Sequence, residues 1–313
     1  MARYNVPQVA WYLGERRERR MGIEEFGLSL DMTGGALPSG MAATGGANGT
    51  RFNSVGAVVA QVAPRFDYNP ATLASRGLNV EPSETNYWLN SETGLAGWDP
   101  VGCMLVPVPN TLFTNLSSIT LTNTLIGLAS IDSSSAFIPV VNGDKVTLTI
   151  ACLNVSMPTI RFGVTASTAG FGAAGDTVAS VLYGPGTLSQ ITGGLWQVSG
   201  ATGWTIVQIT RTFLAVDTAY GVGYLVSGAA AQSLKIGMIQ IEKGAGSSYI
   251  ITGNAITART ADAITLLIPA NINNLTFTFD DLSSATVGVT PGATYAIPTT
   301  FARSHILKIT GAP

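Results

Sequence analysis

The feature that most limits what this chain can fold into is its punctuation. Short runs of Val, Ile, Leu and Thr are interrupted by Gly, Pro, Asn or Ser at the roughly 8- to 12-residue spacing of an all-β sandwich or barrel. "DKVTLTIACLNV", "TIRFGVTAS", "TVASVLYGP", "GWTIVQITRTFLAV", "AYGVGYLVSG" and "SLKIGMIQIEKG" each read as a strand. Several alternate with period two, which turns one face of the strand toward a core. Strands in that number bury their inner faces only when two sheets pack together. Helix has little room.

At 313 residues the chain exceeds the usual size of a single domain, so a main domain with smaller appended pieces is predicted. Apolar residues make up 46% of it, yet no run of them approaches the roughly 18 needed to cross a bilayer. A soluble protein without membrane insertion is expected. Only 11% of residues are charged and the net charge is −2. So sparse a charge leaves little solvated surface for a monomer, which points to subunits covering one another. It also argues against nucleic acid, because no basic stripe is present to displace counterions from phosphates.

Four segments are distinguished. Residues 1–25 hold "LGERRERRMGIEEFG", with eight charged residues of which four are arginines, a stretch able to form two or three helical turns supported by Glu15 and Arg19 at i,i+4. Its charges follow its apolar residues, the reverse of a secretory signal, so it is expected in the mature protein. Tyr4, Trp11 and Tyr12 precede Arg16, Arg17, Arg19 and Arg20 and have no core of their own. A solvated helix face and a docking peptide for a larger assembly are the two readings, the second favoured by the apolar residues. Residues 26–82 contain "RFNSVGAVV", a hairpin signal. Residues 83–255 hold the sandwich strands. Residues 262–313 read as a small separate antiparallel β unit, with hairpin turns at Asp280 and Asp281 and at Pro291 and Gly292.

"PRFDYNP", residues 64–70, sets Arg65, Phe66, Asp67 and Tyr68 between two prolines. Pro64 and Pro70 restrict φ, Phe66 and Tyr68 alternate onto one side, and Arg65 is placed to pair with Asp67. That combination favours a structural clasp over a catalytic loop, since no nucleophile with its base is nearby.

Other chemical signals are weak. His305 is the single histidine and is expected at the surface or an interface, and no G-x-S-x-G elbow exists. "GFGAAG", residues 170–175, matches a nucleotide fingerprint in form, but a strand-like stretch follows it rather than a helix. Among Glu81, Glu84, Glu92, Asp99, Asp176 and Asp217, no spacing singles out a glycosidase pair. Cys103 and Cys152 sit in strand-like runs without metal-ligand spacing and are expected as free thiols. No enzyme, metal or cofactor is expected.

The string "RFNSVGAVV…VAPRFDYNPATLASRGLNVEPSETNYWLNSE" resembles a segment of tail, collar and fibre proteins of tailed bacteriophages, of the form RFD-x-[DN]-P…GL-x-[IV]-E…TN-x-x-x-[NR]-S-E. It departs from that form at Pro82, Ser83, Tyr87 and Trp88. "ATGWTIVQITRTF" and "QIEKGAGSSYIITGNAITARTADAITL" likewise resemble the jelly-roll, carbohydrate-binding-module-like domains of such proteins, and together the likeness spans residues 27–313. It implies a non-enzymatic structural protein of the phage particle, made in the bacterial cytoplasm and located in the virion as a fibre, collar or tail-attached protein. Residues 1–25 would dock on other virion proteins, and a homotrimer is the favoured assembly. The alternative it carries is a host-receptor or glycan-binding adhesin, and the third is capsid decoration. For glycan stacking, Trp98, Trp196, Trp204, Tyr183, Tyr220 and Tyr224 supply flat faces. Trp204 is expected to plug the sandwich core, while Trp196 and Tyr183, beside glycine-rich loops, are the better exposed candidates.

Overall fold

The computed structural model describes residues 27–89, 91, 100–109, 117–124, 127–132, 137–154, 156, 159–172, 177–227, 231–253 and 255–313. Tyr4, Trp11, Tyr12, Arg16, Arg17, Arg19 and Arg20 lie outside them. In chain order the strands are β1 (Leu28–Asp31), β2 (Met41–Gly45), β3 (Thr50–Phe52), β4 (Val58–Ala60), β5 (Arg65–Tyr68), β6 (Ser75–Asn79) and β7 (Glu84–Asn86). The central strands follow as β8 (Cys103–Pro109), β9 (Ser117–Asn123), β10 (Gly127–Asp132), β11 (Ile138–Val140), β12 (Lys145–Asn154), β13 (Thr159–Ala166), β14 (Thr177–Tyr183), β15 (Thr187–Thr192), β16 (Leu195–Ser199), β17 (Thr205–Thr212), β18 (Asp217–Ser227) and β19 (Ser233–Lys243). The last are β20 (Thr257–Arg259), β21 (Asp262–Leu267), β22 (Asn274–Phe279), β23 (Ser284–Gly288), β24 (Thr294–Ala296) and β25 (His305–Ala312). The described residues are all-β, without helix.

The centre is a jelly-roll sandwich. One sheet runs β14-β17-β12-β19-β9-β8 and the other β10-β18-β13-β16-β15, with β11 also on β18. Its pairing follows one rule: β9 with β19, β10 with β18, β12 with β17 and β13 with β16, all antiparallel. An antiparallel ribbon is thus wound alternately through both sheets, with β14 and β15 at its folded end, which is jelly-roll winding.

Alternation supplies the core. Val146, Leu148 and Ile150 of β12, with Val207, Ile209, Ile239 and Ile241 of its neighbours, meet Ile160, Phe162 and Val164 of the facing sheet. Trp88, fully buried, also fills this core, and a Cβ at Gly221 would stand 2.7 Å from its ring. Trp204, expected in that core, is instead on the outside of the sandwich with Val58, Ile206, Met238 and Tyr249. It precedes β17 and joins Ile206, which lies on the face opposite to Val207.

The second body is made from both ends of the described chain. Its larger sheet runs β23-β22-β25-β6-β5 with β1 on β25, and a smaller one runs β2-β21-β24. Phe66 and Leu78 from the first segment pack with Ile264, Leu266, Leu275, Phe277, Ile306 and Ile309 from the last. Residues 26–82 and 262–313, expected as separate units, therefore share sheets and a core. Neither has enough strands to bury a face alone.

The expected hairpin β3–β4 forms, with Asn53 Oδ1 accepting from the N–H groups of Val55 and Ala57 at the turn. Asp280 and Asp281 turn β22 into β23. Pro291 and Gly292 make a turn but not a hairpin, since β24 pairs with β21.

Candidate functional site

β5 carries the "RFDY" residues into the joint between the two bodies. Side chains two apart on a strand stand parallel, about 7 Å apart, so nearer groups from remote strands displace the expected Arg65–Asp67 pair. Arg65, without solvent exposure, forms ion pairs with Asp262 and with Glu81, the latter at 2.8 Å. Its Nη1 donates to Ser248 Oγ at 2.7 Å and to the Thr50 carbonyl at 3.3 Å. Arg259, equally buried, pairs with Glu81 at 2.6 Å and donates to the Pro82 carbonyl at 2.8 Å. Burial works against the carboxylate of Glu81, but the charges of Arg259 and Arg65 prevail and hold it at about 2. Burial likewise opposes the Arg65 cation, and Glu81 and Asp262 raise its pKa above the ordinary value.

The contacts continue along both strings. Asn86 donates to the Ile250 carbonyl at 2.7 Å and accepts from the N–H groups of Trp88 and Ile241. Ser91 Oγ accepts from the Tyr249 hydroxyl at 2.7 Å and from the Thr252 N–H at 3.1 Å. The stretch around 65–91 and the stretch around 240–262 thus interlock residue by residue. Gly77 shows why "RGLNV" needs its glycine: φ is +85°, and a Cβ there would stand 2.1 Å from the Ile306 carbonyl oxygen of β25.

Phe66 enters the core of the second body. Tyr68, past a bulge that follows Asp67, is half-buried, and a Cβ at Gly35 would stand 3.5 Å from its hydroxyl. Asp67 accepts from the Phe52 N–H at 2.7 Å and pairs with Arg76 at 3.3 Å. Its Oδ2 lies 2.8 Å from Nε2 of His305. The histidine, expected at the surface or an interface, is only 8% exposed, because antiparallel pairing of β25 with β6 carries it beside β5. Asp280 completes the cluster by accepting from Arg76 and Arg303 at 2.8 and 2.6 Å.

Between this cluster and the outer face of the β12 sheet lies a cleft of about 520 Å³. The sandwich contributes Tyr183, Met238 and the in-register row Gln208, Thr149 and Gln240. The other side contributes Arg51, Asp67, Arg76, Arg303 and His305. Beside the cleft, Glu242 is fully buried, and burial, reinforced by Glu84, pushes its carboxyl up to about 8. Burial likewise raises the carboxyl of half-buried Glu84.

Tyr183 lines this cleft, half-buried. Trp196 does not: it packs partly buried against the sandwich core from the opposite sheet, and its Nε1–H donates to Thr177 Oγ1 at 3.2 Å. Tyr220 makes an edge contact with Phe137. For Tyr224 the structure describes the backbone alone, and Trp98, Glu92, Asp99 and Asp176 lie outside the described residues. Asp217 clamps a loop: against the cost of burial, the hydroxyls of Thr168 and Ser167 and the N–H groups of Thr218 and Ala169 hold its carboxyl well below the usual range. Both cysteines are free, and burial pushes the thiols of Cys103 and Cys152 up to about 11 and about 12.

Arg76, Arg259, Asp262 and Arg303 escaped the sequence reading as site residues. A signal existed for two of them. Arg259 and Asp262 stand in "TARTAD", within the string that carries the resemblance, and a buried arginine at 65 demands acidic partners.

No protein-family model matches the chain, and no curated relative does. Solved structures similar to it include the CBM22-1 xylan-binding domain from Paenibacillus barcinonensis Xyn10C, at 16% identity over 52% of this chain and 94% of that one, TM-score 0.32. A carbohydrate-binding module from Cellvibrio mixtus lichenase 5A, solved with cellotriose, is 11% identical over 53% of this chain and 99% of its own, TM-score 0.29. The enzymatically active domain of bacteriophage CBA120 tailspike protein 4 is 13% identical over 50% of this chain and 21% of its own, TM-score 0.32.

Proposed function

We propose that this chain is a non-catalytic structural protein of a tailed-phage particle, a fibre, collar or tail-attached component that assembles as an oligomer and docks through residues 1–25. The observation that carries the reading is the use made of the "PRFDYNP…RGLNVE" residues by which the chain resembles phage proteins. Arg65, Glu81, Arg259 and Asp262 are consumed in buried ion pairs, and Ser248, just past β19 of the sandwich, bonds to Arg65 and Glu81 there, a mechanical role. The sparse charge of the chain, 11% of residues, supports coverage by neighbouring subunits. Deleting residues 1–25 in the phage tests it. The truncated protein is expected to fold and to be missing from purified particles, and normal incorporation would overturn the docking role.

The cleft favours a second reading, a glycan-binding adhesin. Tyr183 there offers a ring for stacking a sugar, and Gln208 and Gln240 offer amides beside it. A glycan array probed with parent and Tyr183→Ala protein checks it: binding lost in the variant supports the adhesin, and binding indifferent to the change removes Tyr183 from it.

A further inference from the structure

The cleft allows the ligand class to be narrowed, on the footing of the adhesin reading. We propose that it takes a saccharide unit bearing a carboxylate, with Arg51 recognising the acid. The volume of about 520 Å³ lies within the roughly 300–1,000 Å³ of small-molecule sites. Tyr183 and Met238 give the cleft apolar surface for the face of a sugar ring. Gln208 makes one long bond, 3.4 Å from its amide nitrogen to Thr149 Oγ1. Its amide oxygen accepts no hydrogen bond among the described residues and is available to a hydroxyl.

Charge then decides the class. Arg76 and Arg303 both donate to Asp280, and Arg76 also pairs with Asp67, so neither presents an unshared cation. Arg51 differs. Its Nε donates to Gln61 Oε1 and its Nη1 to the Phe66 carbonyl at 3.2 Å. Among the described residues no carboxylate lies within ion-pair distance of it, whereas each of the other arginines lining the cleft has one. A half-buried guanidinium held by two neutral acceptors shares its charge with no carboxylate of the described residues, and Nη2 with the second hydrogen of Nη1 is left to meet one. Asp67 and Asp280 line the same cleft, so a second negative charge would be repelled. That favours a singly charged unit, such as a uronate or sialate, over a phosphate monoester, which carries nearly two charges at neutral pH.

The test is calorimetric titration of the full chain with glucuronate-bearing trisaccharides and 3′-sialyllactose, beside maltotriose, lactose and inorganic phosphate. One acidic probe is expected to bind at least about tenfold more tightly than its neutral counterpart. Arg51→Gln should erase that difference, Arg51→Lys should restore part of it, and Tyr183→Ala should weaken acidic and neutral sugars alike. Melting curves of the Arg51 variants matching the parent show that the loss is not unfolding. Equal affinity for acidic and neutral sugars, or acid preference surviving Arg51→Gln, overturns the assignment of Arg51 while sugar binding stands. Phosphate binding as tightly as the acidic sugars overturns the saccharide. Binding of no sugar at all overturns the assignment and the adhesin reading together.

Discussion

Arg65 and Asp262, 197 residues apart in the chain, form an ion pair from which both side chains exclude solvent completely. Removing one partner strands a buried charge, which typically costs about 3–5 kcal/mol. Arg65→Met is expected to destabilise by that amount, since it leaves buried Asp262 without its cation, while Glu81 keeps Arg259. Arg65→Met combined with Asp262→Leu should cost less than the two single changes summed. Denaturant unfolding of the four proteins measures the coupling, and strict additivity would mean that the two side chains do not stabilise one another.

Phe66 is 4% exposed in the core of the second body. Phe66→Ala should cost about 3–5 kcal/mol, and Asp67→Asn, which removes one of the two carboxylates at Arg76 and the one beside Nε2 of His305, about 1–3 kcal/mol. Because β5 links the N-terminal hairpin to the rest, the Phe66 variant should also gain protease cleavage near residues 60–80. Parent-like melting and protease resistance in both variants would show that the motif does not clasp the structure.

At Gly77 a methyl group meets backbone rather than a side chain that can swing away. With φ at +85° and the Ile306 carbonyl oxygen 2.1 Å from the position of a Cβ, Gly77→Ala should cost more than the roughly 1 kcal/mol of an ordinary left-handed position. Hydrogen exchange should locate the damage at β6 and the start of β25. Uniform protection with an unchanged melting temperature would contradict that contact.

Two carboxyls give opposite pH dependences. Glu242 is raised from 4.5 to about 8, chiefly by burial, so its contribution to stability is complete below 4.5 and is lost as pH rises through about 8. Glu81 is held at about 2, burial being outweighed by Arg259 and Arg65. Its contribution is present above the ordinary 4.5 and is lost as pH falls through about 2. Stability should therefore peak in mildly acidic solution and decline toward alkaline pH with a slope of up to about 1.4 kcal/mol per pH unit from Glu242. Urea unfolding across that range checks it: Glu242→Gln should flatten the alkaline decline, and an unchanged slope would show that another group carries it.

Much of the architecture was legible without coordinates. The alternation in "DKVTLTIACLNV" and "GWTIVQITRTFLAV" determined which side chains of β12 and β17 face the core, because a strand's period of two is local. The Asn53 turn and the turn at Asp280 and Asp281 were legible for the same reason. The single-sequence pattern does not encode which distant strands meet. Pairing of β1 and β6 with β25 joined two segments that read as separate. It buried His305 beside Asp67, while other remote strands drew Arg65 toward Asp262 and set Trp88 inside the sandwich. The ion pairs and the cleft between the bodies exist only through those long-range pairings, because a charged side chain takes as its partner whatever opposite charge the chain brings nearest in space.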